Sequence, residues 1–221
     1  MCTVVVAGEP ELRVPEDVID LESFRRWVYS DDFPEKRRVA FLQGEIWVDM
    51  KAERLQSHSR LKLTYHTVLN GIIEAEELGL FLPDGALWTN NVADVSNIPD
   101  GMFLSWDALE SGRVRYVGDK DDAIEVDGSP DMVMEVVGRS SVHKDNVTLM
   151  KIYWAAGVKE YWLVDARGQI PEFKILVRGL RGLRDAPSKA GWHRSAVFDR
   201  EFKLVRRTGR LGHAAYELKV R

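Results

Sequence analysis

Two carboxylates stand where carboxylates are costly. The stretch GSPDMVMEVVGRSS, residues 128–141, carries an apolar strand with Glu135 at its centre. Upstream, NIPDGMFLSW sets Asp100 inside a second apolar run, directly after Pro99. A carboxylate in such a strand has to be neutralised, ion-paired or bound to a metal. The residues leave open either pairing with Arg and Lys or joint binding of a cation. Oxygen-only ligands suit hard cations such as Mg2+, which binds through one or two carboxylates completed by water and phosphate. A cation held that way serves phosphodiester hydrolysis, because it polarises phosphate and activates water. Asp131 shares a strand face with Val133, Glu135 and Val137. It lies four residues from Glu135, ~13 Å along an extended strand, too far for both to ligate one ion. Asp100 is therefore the expected partner of Glu135.

Such a site calls for a lysine to hold water or offset negative charge. The position two residues after Glu135 is Val137, so a simple E-x-K is absent. The following helix, DNVTLMKIYWAAGV, offers Lys151. With Val147, Met150 and Trp154 as its apolar stripe, Lys151 falls about 40° from Val147 on the helical wheel. From there the side chain either stays at the surface or stretches along apolar surface into a pocket.

The elements that must position these residues follow from the patterning. DLESFRRWVYS, residues 20–30, reads as a short helix, and RRVAFLQGEIWVDM as a hairpin turning at Gln43-Gly44, with Glu45 on its second strand. Residues 57–78 form the clearest helix. Leu61, Tyr65, Val68, Leu69, Ile72 and Ile73 recur on one face, with Ser57 as N-cap and Gly79 as the residue after the C-cap. His58 begins that stripe. Two strand candidates follow, in residues 85–96 and 97–106, then a charged stretch at 107–128 read as a surface excursion. The Glu135 strand, the helix from Asp145 with Gly157 as its stop, and the strand KEYWLVDA come next. Only strands and Gly-rich turns follow Pro171. A strand–helix–strand crossover at 131–165 predicts a parallel pair, with the remaining pairs antiparallel. The centre thus runs helix, strand, strand, strand, helix, strand, a mixed α/β domain with helices covering a sheet.

At 221 residues the chain is expected to form one domain, with 45% apolar and 30% charged residues. No apolar run reaches the ~18 residues of a membrane span, the start does not resemble a signal peptide, and Cys2 is the single cysteine. A cytoplasmic protein with no membrane partner is expected. The net charge of −4 does not advertise nucleic-acid binding, yet residues 178–221 hold 12 Lys/Arg against 4 Asp/Glu. That asymmetry fits either a polyanion-binding face or a solvated strand-rich one. Trp47, Trp154 and Trp162 lie in apolar runs and read as core. The strand-rich ends suggest a homodimer, since exposed edges tend to pair.

IPDGMFLS, SPDMVMEVVGRSS and above all KIYWAAGVKEYWLVDA resemble the Uma-two family of restriction-endonuclease-like proteins, in the PD-(D/E)XK nuclease superfamily. LQGEIWVDM and SHSRLKLTYHTVL extend the likeness, which covers roughly residues 35–205. It implies a restriction-endonuclease-like core at about 35–170, with an N-terminal hairpin added and a strand-rich extension at about 171–221. It implies that Asp100 and Glu135 bind Mg2+ (or Mn2+), that Lys151 is the displaced lysine, and that Glu45 and His58 join the site. Asp145 matches an acidic position read as a helix cap. After the Glu135-Val136 pair the chain departs from the family pattern, with Val137, Gly138, Arg139 and Ser140. Arg139 and Lys144, near the strand's end, are the candidates for contacting nucleic acid. The implied activity is endonucleolytic cleavage of nucleic acid, in the first place DNA. Two other classes share the residues: a silent nuclease-fold interaction protein, and a hydrolase of a small phosphoester. A broad cleft lined by Arg and Lys would favour nucleic acid over a small molecule.

Overall fold

The computed structural model describes residues 3–4, 12–34, 38–49 and 53–221. Cys2 lies outside them. A short antiparallel pair, β1 (Thr3–Val4) and β2 (Leu12–Arg13), precedes α1 (Leu21–Val28). Asp20 caps this helix reciprocally. Its carboxylate accepts the Ser23 amide at 2.8 Å, and the Ser23 hydroxyl accepts the Asp20 amide at 3.0 Å. The helix lays Leu21, Phe24 and Trp27 against Val39 and Phe41 of β3 (Arg38–Leu42). β3 turns through Gln43 and Gly44, at φ 51° and 87°, into β4 (Glu45–Asp49). Positive φ at both central residues suits a tight hairpin, as the sequence predicts.

A π-helical turn (Leu55–Ser59) opens α2 (Arg60–Ala75). There follow β5 (Gly79–Pro83), β6 (Leu87–Asn90), β7 (Val95–Asn97) and β8 (Gly101–Ser105), then α3 (Trp106–Glu110), β9 (Val114–Val117), β10 (Glu125–Gly128) and β11 (Met132–Val136). A second π-helical turn (Lys144–Thr148) opens α4 (Leu149–Ala155), which leads to β12 (Glu160–Asp165). The rest is β13 (Glu172–Arg178), β14 (Leu183–Asp185), β15 (Ser188–Lys189), β16 (Trp192–Ser195), β17 (Arg200–Thr208) and β18 (Ala214–Val220).

One six-stranded sheet runs β4-β3-β7-β6-β10-β9 and a second β14-β13-β12-β11-β8-β5, while β15 to β18 form a smaller antiparallel sheet. At the second sheet α2, β5, β8, β11, α4 and β12 come in the expected order of helix, three strands, helix and strand, but β5 takes the place expected for residues 85–96, which form β6 and β7 of the other sheet. β11 and β12 are parallel across the α4 crossover, with Glu135 opposite Leu163. The alternation of β11 holds as well. Val133 packs with Val137, Leu149, Ile152 and Trp88 on one face, and Met132, Met134 and Val136 pack with Leu61, Tyr65 and Trp162 on the other. Each large apolar side chain buried this way contributes ~1.5–3 kcal/mol. Helices therefore cover both faces of the strand that carries Glu135.

Three further expectations are corrected. Residues 107–128 are not an excursion: α3, β9 and β10 form there, and β10 pairs in parallel with β6. Charge hid the strand, because Glu125 is buried only by virtue of Arg25 at 2.8 Å and the Tyr29 hydroxyl at 2.9 Å. Ser57 lies inside the π-helical turn and caps nothing. The left-handed residue after α2 is Glu77, at φ 51°, while Gly79 opens β5. Glycine is required at 79 because a Cβ there would meet the Leu104 carbonyl oxygen at 2.1 Å. Among the described residues, no helix is long and apolar enough to cross a membrane.

Candidate active site

A cleft of about 350 Å3 opens where the two six-stranded sheets meet. β3, β4 and Asn97 of β7 line it from one sheet. The end of β11 and the residue before β8 line it from the other, and the turn before α2 and the turn before α4 close its ends.

Asp100 sits at the start of β8, 3% exposed. Its Oδ2 accepts the Val136 amide at 2.8 Å, which ties it to the neighbouring strand. Its Oδ1 faces Arg38 at 3.3 Å and Lys62 at 3.4 Å, and Oδ2 lies 3.9 Å from His58 Nε2. Its backbone oxygen bonds the His66 ring at 2.7 Å. Lys62 belongs to the buried stripe of α2, a place a lysine takes only when paired. Asp84 and Glu53 pair it, each at 2.6 Å.

Glu135 is 4% exposed. The Tyr153 hydroxyl donates to its Oε1 at 2.6 Å, and the Asn97 amide approaches at 3.4 Å. Burial pushes its pKa up to about 8; the Lys144 ammonium opposes the shift, and Asp100 and Asp145 add to it. Lys144 places its ammonium 2.9 Å from Asp145 Oδ1. Burial works against that charge, but Glu135 and then Asp145 overcome it and raise the lysine's pKa. Burial likewise raises Asp145, against the pull of Lys144 and of the Ser141 hydroxyl that donates to it.

A second group adjoins the first. Glu53 meets His58 Nδ1 at 3.0 Å and Arg38 at 2.8 Å. Burial alone would raise the Glu53 pKa, but His58 and Lys62 hold it below the usual carboxylate range. The His58 pKa is raised: burial opposes the charge, and the Glu53 bond and the Asp100 charge outweigh it. Potential ligand atoms of Glu53, His58 and Asp100 lie within 4.8 Å of one another. Two acidic groupings, Asp100 with Glu135 and Asp100 with Glu53 and His58, thus share one carboxylate.

Of the residues the sequence singles out, Asp100, Glu135, His58, Arg139 and Lys144 line the cleft; Glu45 and Lys151 do not. Glu45 is exposed at the turn end of β4, and Asp49 at the other end of that strand lines the cleft instead. Lys151 is exposed because the buried face of α4 is Leu149, Ile152, Tyr153 and Ala156, not the stripe through Val147. On a helical wheel Lys151 is at least about 100° from each of them. Lys144, on the preceding π-helical turn, pairs with Asp145 and places an ammonium whose charge acts on Glu135. Asp145 is no cap, since it makes no side-chain cap bond and faces the cleft. Sequence reasoning passed over Arg38, Glu53, Lys62 and Tyr153. Only Lys62, a charge on an otherwise apolar stripe one turn past His58, carried a visible signal.

This core, with buried carboxylates on adjacent strands at the end of a parallel crossover, is that of a restriction-endonuclease-like fold. The chain belongs to the Uma2 family, described as "Putative restriction endonuclease", which matches residues 21–179. It is similar to a crystal structure described as a "putative nuclease belonging to DUF820" from Anabaena variabilis ATCC 29413. The TM-score is 0.60 at 16% identity, over 82% of this chain and 91% of that one, a likeness of fold. No curated protein matches the chain.

Proposed function

We propose that the protein is a metal-dependent nuclease that hydrolyses phosphodiester bonds of nucleic acid, DNA in the first instance. One observation carries this reading: Asp100 and Glu135 enter one cleft from adjacent strands, with the Lys144 ammonium beside them. The donor set fits Mg2+ or Mn2+, being carboxylate oxygen. Burial raises the pKa of Glu135, and the charges of Asp100 and Asp145 add to the shift; a bound cation would offset that repulsion. Asp100 and Glu135 would hold the ion. When bound, it supplies Lewis-acid polarisation of a phosphoryl oxygen.

The protein's own residues then have separable tasks. The Val136 amide fixes Asp100, and the Tyr153 hydroxyl fixes Glu135. Lys144 offsets negative charge that grows on the phosphate, in a site dry enough for one ammonium to matter. The test is a cleavage assay with Mg2+ and Mn2+ on plasmid, linear duplex, single-stranded DNA and RNA, beside a Glu135→Ala control. Metal-dependent cleavage by the wild type alone is the expected result.

A second reading has an observation of its own. Arg38 and Lys62 already compensate Asp100, and Lys144 faces Glu135 and Asp145. Acids so balanced are satisfied without an ion, as in a silent nuclease-fold interaction protein. Absence of cleavage on every substrate with either metal would select that reading.

A further inference from the structure

The cations that line the cleft fall into two kinds. Arg38, Lys144 and Arg167 each have a carboxylate partner, at 3.3 Å or less. Arg54 and Arg139 are exposed, line the same cleft, and have no carboxylate partner among the described residues. They come from different walls. Arg54 precedes the π-helical turn that carries His58. Arg139 lies on the loop after β11, and its neighbour Ser140 bonds Asp49 of β4 at 3.3 Å. Two residues back along β4, on the same strand face as Asp49, the half-buried Trp47 also lines the cleft.

We infer that Arg54 and Arg139 hold the phosphates that flank the bond being cut, and that Trp47 stacks a base, so that the cleft takes a single-stranded or locally unpaired polynucleotide. That these phosphates flank a bond being cut rests on the nuclease reading of the cleft, but the binding itself is measured without cleavage. The depth of the acids supports it. Asp100 and Glu135 are 3% and 4% exposed, so a phosphodiester has to enter the cleft to reach them. At about 350 Å3 the cleft lies near the lower end of small-ligand sites, ~300–1,000 Å3. A duplex is stiff over ~150 base pairs and keeps its bases stacked. A single strand bends into such a recess and offers every base face to an aromatic ring. An exposed, unpaired guanidinium is the group that holds phosphate with two parallel bonds at little desolvation cost.

The experiment measures anisotropy of fluorescein-labelled oligothymidylate of about 12 nucleotides, within the ~4–16 of known single-strand sites. The full-length wild type is titrated in chelator, across a series of salt concentrations. Oligouridylate and a blunt hairpin duplex are run alongside, so that DNA, RNA and duplex are separated. Arg54→Gln and Arg139→Gln should each weaken single-strand binding about tenfold, the scale of one charge-assisted contact. Each should lower the salt slope by about 0.7, the single-strand value per phosphate. Trp47→Ala should weaken binding with no change of slope, and circular dichroism checks that it folds. Arg206→Gln, an exposed arginine on β17 outside the cleft, should change nothing. Tighter duplex than single-strand binding, loss of binding in Arg206→Gln but in neither cleft arginine, or no wild-type binding at low salt would each overturn the inference. Binding with these dependences but no cleavage under any metal condition would instead fail the nuclease reading and leave this one standing.

Discussion

The Tyr153 hydroxyl donates to Glu135 Oε1 at 2.6 Å, joining the middle of α4 to the end of β11. The bond orients a carboxylate that is buried at the cleft. Tyr153→Phe keeps the ring and its contacts with Trp88 and Tyr161. It should therefore fold, losing about 1–2 kcal/mol in urea denaturation, the scale of a buried hydrogen bond. The cleavage rate should fall about tenfold, with substrate affinity little changed. A rate equal to wild type would mean that Asn97 and packing alone place the carboxylate.

Stability should depend on pH through Glu135. Burial holds its folded pKa at about 8, above the ordinary 4.5. A carboxyl raised in this way keeps its proton more tightly when folded. Its contribution is complete below the unfolded pKa and is lost as pH rises through the folded one. In chelator, wild-type stability should thus fall between about pH 5 and pH 8, and Glu135→Gln should flatten that fall. Asp145, shifted the same way, remains in the variant and leaves a residual slope. Parallel profiles for the two proteins would mean that Glu135 is ionised throughout, held by Lys144.

The two acidic groupings make different demands on a cation. An ion on Asp100 and Glu135 should raise the melting temperature of the wild type, by mass action on the folded state. Glu135→Ala should lose that shift, while Glu53→Gln keeps it. An ion on Asp100, Glu53 and His58 would reverse the pattern, since potential ligand atoms of these three also lie within 4.8 Å of one another. Thermal melts of three proteins in Mg2+, Mn2+ and chelator decide between them. Equal shifts in all three would put the ion outside both groupings.

How much was legible beforehand follows from what each residue depends on. Asp100 and Glu135 were readable because a charge in an apolar strand breaks the local pattern. The parallel crossover was readable because Gly157 ends α4 in a left-handed conformation, φ 85°, before an obvious strand. β10 was not, because its buried Glu125 is made tolerable by Arg25, 100 residues away in the sequence. Glu53 and Arg38 escaped for the same reason. Nothing local distinguishes them from surface charges, and only the closing of β3 and α2 around Asp100 brings them together. Lys151 was misplaced by a choice between two overlapping apolar stripes on one short helix. Leu149, Ile152 and Tyr153 are all 0% exposed, whereas Val147 is 39% exposed. Packing decides that choice, and periodicity over two turns does not.

Lys144 and Lys151 therefore make a paired test of the catalytic lysine. Lys144 has its ammonium 2.9 Å from Asp145 and under the charge of Glu135, inside the cleft. Lys151 is exposed and outside the cleft. If an ammonium offsets negative charge on the phosphate as the bond breaks, its loss is felt in rate more than in ground-state binding. Lys144→Met should lower the rate by about two to three orders of magnitude, the usual scale for one preorganised electrostatic contact. Removing it also leaves Glu135 and Asp145 without their cation, so the variant's stability needs its own measurement. Lys144→Arg restores the charge with a different shape, and should recover stability more fully than rate. Lys151→Met should cleave as wild type does and melt at the same temperature. A slow Lys151→Met beside a normal Lys144→Met would return the lysine's role to α4 and require that helix to turn in the substrate complex.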